Sequence, residues 1–448
     1  MAHRIRKSCD YLMSHNIMIL LFLTLIVLSF SSIGDTAVAG MIGLALCMAG
    51  CVQGAVTVDL WVLVPMLIYD LFSLASSWSA YGTITKGFAG TQIIFTVIYL
   101  AMAYLDQREQ KCLRRLCAGW IGCTAILGTL QFVRQAQAGT VYRLGGILGA
   151  PNAFGIFLVT GWFALLACEP EGFLEHIEPF VLTALALTLS MGSFVSMAVG
   201  IFAAFLYKKR KASWKETFGY LCCILARASV GVGIGILMYI AARRTKAPWL
   251  CVPIFLYLTA MAVNWKKFVS FLRDYLTAAK GIAGFGLVVA AAAVLIRPSA
   301  AATFAERLRM MRNGLGYLWM EPLLGVGPYQ WRALNLYDGD TYFNTWIIHN
   351  LFIHIGVELG LVALTAVIFI AIRHFVKKGD EMIKCGSAAF CVHNLMDTGF
   401  FFESIPALVF MTVSSPRSGG RRISDRAARL IFCICGAVFA YHLFHPKG

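Results

Sequence analysis

The sequence predicts an all-α, polytopic integral membrane protein, and three observations predict it. Of 448 residues, 59% are hydrophobic and only 13% charged, against roughly 45–50% and 25% in an average soluble domain. Apolar runs of about 17–25 residues, the length that crosses a bilayer as helix, recur from end to end. Few of these runs alternate with period two, which argues against a membrane β-barrel. The pattern fits one membrane domain over 1–448 with about 12–15 transmembrane helices.

In chain order the runs cover 16–33, 36–52, 58–78, 85–105, 116–133 and 152–168, then 217–241, 248–264, 279–296 and 346–372, and last 382–394, 399–413 and 428–443. The basic start, the first apolar run and "AVAG" loosely imitate a signal peptide. The run is long for one, so an uncleaved first helix is expected. The stretch 179–207 is followed by Lys208, Lys209, Arg210, Lys211 and Lys215. Basic loops favour the cytoplasm. With a cytoplasmic N-terminus the stretch must return to that side, so a hairpin turning near Ser190–Ser193 is expected. "DQREQKCLRR", "NWKKFVSFLR", "RHFVKKGDEMIK" and "SSPRSGGRRISDRAAR" then all fall inside, as does the acidic "EPEGFLEHIE", while "AARRTK" around Arg243 falls outside as a misfit.

The net charge of +16 is accounted for by these inter-span clusters. No basic domain stands outside the membrane, so nucleic-acid binding is not expected. The 14 cysteines lie mostly within apolar runs, where cysteine behaves as a small hydrophobe. No Cys-x-x-Cys pair has metal spacing, so neither a disulfide framework nor a metal site is expected.

Two segments fall on the outer side: a short loop over 134–151 and a long one over 297–345. The long loop holds Arg297, Arg307, Arg309, Arg312 and Arg332, with Trp319, Tyr329, Trp331, Tyr337 and Tyr342. Arginines outside oppose the usual bias, and guanidinium groups suit phosphate. The aromatic residues fit either an interfacial belt or a surface that stacks on sugars. "AERLRMMRNGLGYLWM" is helix-like, with Leu308, Met311, Leu315 and Leu318 as the apolar stripe and Arg309, Arg312 and Gly316 also at helical spacing. An amphipathic helix on the outer leaflet is expected.

The next run carries His349, Asn350, His354 and Glu358. Ionisable groups inside hydrocarbon are expensive and usually functional or paired. Spaced i, i+4, i+8, Asn350, His354 and Glu358 would share one helix face. The following run delivers His393, Asn394 and Asp397, and Glu403 opens the one after it. By topology Arg143, Asn152, Ser190, Arg307, His349, Asp397 and Glu403 would all reach the outer side. His354 with Glu358, and His393 with Asp397, have the spacing of satisfied core pairs.

At these residues the sequence resembles the O-antigen ligase and O-antigen polymerase superfamily of bacterial surface-polysaccharide enzymes. Four blocks carry the resemblance: "RLGGILGAPNAFGIFL" from Arg143, "RLRMMRNGLGYLWMEPLLGVG" from Arg307, "HNLFIHIGVELGL" from His349 and "HNLMDTGFFFESIP" from His393. Met191 stands where the family often has arginine, and Met311 where it has an aromatic residue. The resemblance implies a ligase/polymerase fold of GT-C-like type in the bacterial cytoplasmic membrane, with catalytic helices over 346–413 and an extracytoplasmic active site. It implies cofactor-free, metal-independent transfer of a glycan from undecaprenyl pyrophosphate to a sugar hydroxyl on a glycan or glycolipid acceptor. Surrounding membrane lipid and other polysaccharide-assembly proteins would be its partners.

In that scheme His349 and Arg307 are catalytic. Arg143, Asn152, Ser190, Arg309, Arg312, Asn350, Asp397 and Glu403 bind pyrophosphate or glycan, and His354, Glu358 and His393 give structural support. The alternative from the residues is a transporter or flippase of lipid-linked glycan or a small anion, for which Asp59 and Asp70 on the third run speak.

Overall fold

In the computed structural model, residues 2–31, 36–84, 92–140, 142–168, 171–243, 247–295, 299–338, 345–413 and 419–445 are described. The helices run in order α1 (Ala2–Phe30), α2 (Thr36–Val52), α3 (Leu60–Tyr81), α4 (Ile93–Met102), α5 (Gln107–Gln137) and α6 (Pro151–Ala167). They continue as α7 (Glu178–Thr188), α8 (Met191–Lys209), α9 (Trp214–Arg243), α10 (Cys251–Val263), α11 (Trp265–Asp274) and α12 (Leu276–Leu295). The last are α13 (Ser299–Tyr317), α14 (Gln330–Tyr337), α15 (Leu351–Val376), α16 (Glu381–His393), α17 (Ser404–Thr412) and α18 (Asp425–Phe444). Among the described residues the chain is all-α apart from a two-stranded antiparallel ribbon that the sequence did not suggest, β1 (Val56–Val58) with β2 (Arg421–Ile423).

Among the described residues, α3, α5, α8, α9, α15 and α18 are each long and apolar enough to cross a membrane, and the bent pair formed by α10 and α11 makes a seventh candidate. Shorter apolar helices of 10–17 residues accompany them. The chain is therefore a multi-pass membrane protein.

The chain divides into two compact units. The first comprises 1–114, 306–379 and 394–448. Here α2 packs along α18 and α3 along α15. Gly43 and Gly50 let the rings of Phe439 and Phe432 lie directly on the α2 backbone, the small-residue contact expected where lipid offers no hydrophobic drive. Its centre is α4, every residue of which is buried; a helix apolar all round belongs inside.

The second unit comprises 115–305 and 380–393. Its counterpart to α4 is α6, buried from Ala153 to Leu165 and packed on α7, α8 and α16. Glu178, the last residue of the acidic stretch, is buried in this core at the start of α7. Its carboxylate accepts from Trp162 Nε1 at 2.9 Å and Trp265 Nε1 at 2.7 Å, and it pairs with Arg227. A buried carboxylate needs such donors. The stretch expected to be a hairpin breaks at Leu189, which adopts φ 50°, and restarts at Ser190, whose hydroxyl caps α8 by accepting from Ser193 N.

Other expectations are corrected. Asp59 is not within a span but is the N-cap of α3, accepting from Trp61 N at 3.1 Å. The run expected as one helix over 346–372 is helical only from Leu351, because Asn350 adopts an extended conformation and caps it. The same helix breaks at Gly360 (φ 85°). The amphipathic helix α13 exists. Leu318 of the expected stripe is buried together with Met310 and Gly314, whereas Leu308 and Leu315 are exposed, free to face lipid. Partners decide this: Met310 and Leu318 join Trp331, Ile348 and Val357 in one core cluster. Arg297 and Tyr342 lie outside the described residues.

Candidate functional site

The site in the first unit is built on the N-terminus of α15. Asn350 caps that helix through its Oδ1, which accepts from Ile353 N at 3.0 Å. Capping satisfies one of the amide donors that every helix start leaves open. The Nδ2 of the same side chain donates to Leu395 O at 3.0 Å, and Leu351 N donates to Asn394 O at 2.8 Å. Arg307 of α13 donates to Met396 O. Three consecutive carbonyls, 394 to 396, are thus each held by a donor from elsewhere, and Asn394 Oδ1 accepts from Phe400 N at 2.8 Å. The loop after α16 has no freedom left where it presents Asp397.

Asp397 joins the two residues the sequence singled out. Its Oδ2 accepts from Arg307 Nη2 at 3.1 Å, and its Oδ1 lies 3.4 Å from His349 Nδ1 while also accepting from Thr398 N at 2.9 Å. The Asp397 side chain is 4% exposed, that of His349 27%. Nδ1 of His349 is itself buried, so the exposed part of the ring lies away from the carboxylate. His349 N donates to Met310 Sδ at 3.3 Å. At 3.4 Å the Nδ1 of His349 makes no hydrogen bond to Asp397; closing that gap would orient the ring through Nδ1 and leave the other nitrogen for proton transfer. Arg307 has five N–H donors, so its contacts to Met396 and Asp397 leave donors for an anion.

Below this group lies a fully buried pair. His354 Nε2 is 3.4 Å from Glu358 Oε2, and Ile348 N donates to His354 Nδ1 at 3.4 Å. Nδ1 as acceptor means Nε2 carries the proton and faces the carboxylate. Glu358 also accepts from Tyr329 N at 2.8 Å and Trp331 N at 3.2 Å. Its backbone carbonyl, freed by the break at Gly360, accepts from Ser76 Oγ at 2.6 Å and Gly327 N at 3.1 Å, while Val357 O accepts from Val326 N at 2.8 Å. The glycines make this close approach possible. A Cβ on Gly360 would stand 2.2 Å from Leu323 O, and one on Gly325 2.3 Å from the Glu358 carbonyl carbon. The segment through Gly325 and Gly327 is thereby locked onto α15.

Tyr329 closes this part of the unit in a left-handed conformation, φ 64°. Burial first, then the charges of Glu358 and Glu403, push its phenol up to about 12. Glu403 is buried at the start of α17. Arg309 and Arg312 are exposed on α13. Arg332 stacks over Trp346 at 3.9 Å, with Tyr329 edge-on to the same ring at 5.4 Å.

Arg143, Asn152, Ser190 and His393 belong to the second unit. Arg143 Nη2 donates to Asn152 Oδ1 at 2.6 Å, and its Nε to Thr188 O at 2.9 Å. Ser193 Oγ bonds Ser190 Oγ at 2.9 Å and Asn152 O at 3.4 Å. His393 lies against Gly192, where an added Cβ would come within 3.6 Å of Nε2. α16 ends at His393, so Asp397 does not follow it one turn later on the same helix, as the i, i+4 spacing would need. The site residues thus form two clusters, one per unit. What the sequence missed is the role of Asp397 as the bridge between Arg307 and His349. The only signal for it was an acid four residues after a histidine.

No protein-family model matches the chain, and no curated protein matches it.

Proposed function

We propose that this protein is a membrane glycosyltransferase that moves a glycan from undecaprenyl pyrophosphate to a sugar hydroxyl, as a polymerase or ligase of bacterial surface polysaccharide. The observation that carries the proposal is the Asp397 carboxylate set between His349 Nδ1 and the Arg307 guanidinium. The four sequence blocks that resemble the O-antigen ligase and polymerase superfamily support it.

In this reading the acceptor hydroxyl oxygen attacks the anomeric carbon of the donor. The bond from that carbon to the pyrophosphate oxygen breaks, and undecaprenyl pyrophosphate leaves with the electron pair. His349 takes the hydroxyl proton, a step worth typically about 10²–10⁴-fold. Asp397 orients the imidazole and stabilises its protonated form. The free donors of Arg307 meet the charge that grows on the leaving group, and Arg309, Arg312 and the Arg143–Asn152 pair are further candidates for pyrophosphate or glycan. The reaction would take place on the extracytoplasmic face of the cytoplasmic membrane, within a bundle of about 12–15 crossings.

The test is transfer in proteoliposomes from a defined undecaprenyl-pyrophosphate oligosaccharide, comparing the unaltered protein with His349→Ala. Loss of transfer with normal protein abundance is expected. Undiminished transfer would overturn the assignment of His349. Uptake of substrate without any glycan transfer would instead support a transporter, the reading favoured by Asp70, a buried span carboxylate that accepts from Thr96 at 2.6 Å.

A further inference from the structure

The first unit holds a cavity of about 640 Å³ between α3 and the part of α15 beyond Gly360. Pro65 sits within α3, and Thr365 and Ala366 face it from α15. Trp61 and Phe369 also line it, with rings 6.2 Å apart and side chains 65% and 40% exposed.

One end of this groove is charged. The pairing of β1 with β2 sets Arg421 opposite Val58, beside Asp59, and both Asp59 and Arg421 line the cavity. Asp59 Oδ2 already holds Arg373 at 2.9 Å and Lys377 at 3.4 Å. Asp59 is thus already paired with two cations, and Arg421 adds a third positive charge at the same end of the groove. From Asp59 to Ile68 the groove follows α3 for about 13–14 Å at 1.5 Å per residue. That is roughly half of a ~30 Å hydrocarbon core, the depth of one leaflet.

We propose that this groove binds one anionic phospholipid, with an acyl chain between α3 and α15 and its phosphate at Arg421. The charge at the open end selects the head group, and the length suits a lipid confined to one leaflet rather than a longer polyprenyl chain. Lipid tails are as apolar as the groove itself, so the apolar part gives packing but little preference. Selectivity must come from the cations, each worth about 1 kcal/mol near a membrane surface. The proposal is independent of the glycan-transfer reading.

The test uses the full-length protein purified in detergent, incubated with equimolar phosphatidylglycerol and phosphatidylcholine of matched acyl chains. Retained lipid is measured by native mass spectrometry. Phosphatidylglycerol is expected to be retained preferentially. Arg421→Gln, on an exposed strand, should lower that preference by about fivefold. Thr365→Trp, at an exposed helix position, should fill the groove and reduce bound lipid while the size-exclusion profile stays unchanged. Equal retention of the two lipids overturns the proposal. So does a preference unaltered by Arg421→Gln, or lipid retention unaltered by Thr365→Trp. Preferential retention of a polyprenyl phosphate, or disulfide cross-linking between two copies carrying Trp61→Cys, would identify a different occupant and also overturn it.

Discussion

Replacing Asp397 with asparagine isolates the contribution of one charge at constant shape. The carboxylate accepts from Arg307 Nη2 on Oδ2 and from Thr398 N on Oδ1, and Oδ1 also lies 3.4 Å from His349 Nδ1. The amide has only one oxygen. Arg307 is always charged, so the oxygen is expected to turn to it and the NH₂ to face His349. That forces Nδ1 to accept, which places the imidazole proton on Nε2 and removes the base from the side facing the substrate. The loss should match that of general-base catalysis, about 10²–10⁴-fold in transfer rate. The stability cost is bounded by one charge-assisted hydrogen bond, about 1.5–3 kcal/mol. Initial rates of glycan transfer in proteoliposomes measure the first quantity, and thermal unfolding in detergent the second. Because Asp397 acts through His349, adding Asp397→Asn to His349→Ala should cost little more than His349→Ala alone. Transfer within threefold of the unaltered protein, or a double variant whose losses multiply, would refute the bridge.

Glu358→Gln should lower thermal stability by about 1–3 kcal/mol, because one amide oxygen replaces a carboxylate that accepts from both Tyr329 N and Trp331 N. His349→Ala should leave the melting temperature nearly unchanged, so equal melting of the two variants would contradict this division of labour. Gly360→Ala combines a φ of 85° with a 2.2 Å approach to Leu323 O. A strained backbone of that kind costs about 1–3 kcal/mol before any clash, so sharply reduced abundance in membranes is expected, and normal abundance would mean that α15 does not break there. Asn350→Ala removes the cap of α15, worth about 0.5–2 kcal/mol, together with the hold on Leu395. It should reduce transfer more than Arg332→Ala does, and proteolysis should cut first in the loop at 394–400; protection of that loop equal to the unaltered protein would refute its anchoring.

Particular residues show how far the sequence reaches. The apolar runs place a helix at nearly every expected position, because the length and hydropathy of a span are properties of the span alone. The helical repeat of 299–317 and the interruption before Ser190 are also local, and both are present. The residue types of the candidate site could be picked out because ionisable groups are rare in such a composition. Their relations could not. Periodicity placed Asn350 on a helix face with His354 and Glu358, whereas its side chain closes the helix and pins Leu395. It put Leu318, which is buried, on the apolar stripe, but not Met310, which turns in because Trp331, Ile348 and Val357 receive it.

The sequence by itself determined that this chain is helical, that it spans the membrane several times, and that the runs over 346–372 and 382–394 carry histidines, carboxylates and amides. Only the tertiary structure decided that Asp397 joins Arg307 to His349, that Glu358 holds two amides of the Tyr329–Trp331 segment, and that α15 breaks at Gly360 to admit Gly325. Hydropathy is set by neighbours along the chain. A hydrogen bond or a close glycine contact is set by neighbours in space, 90 residues apart in the chain for Arg307 and Asp397 and 282 for Ser76 and Glu358.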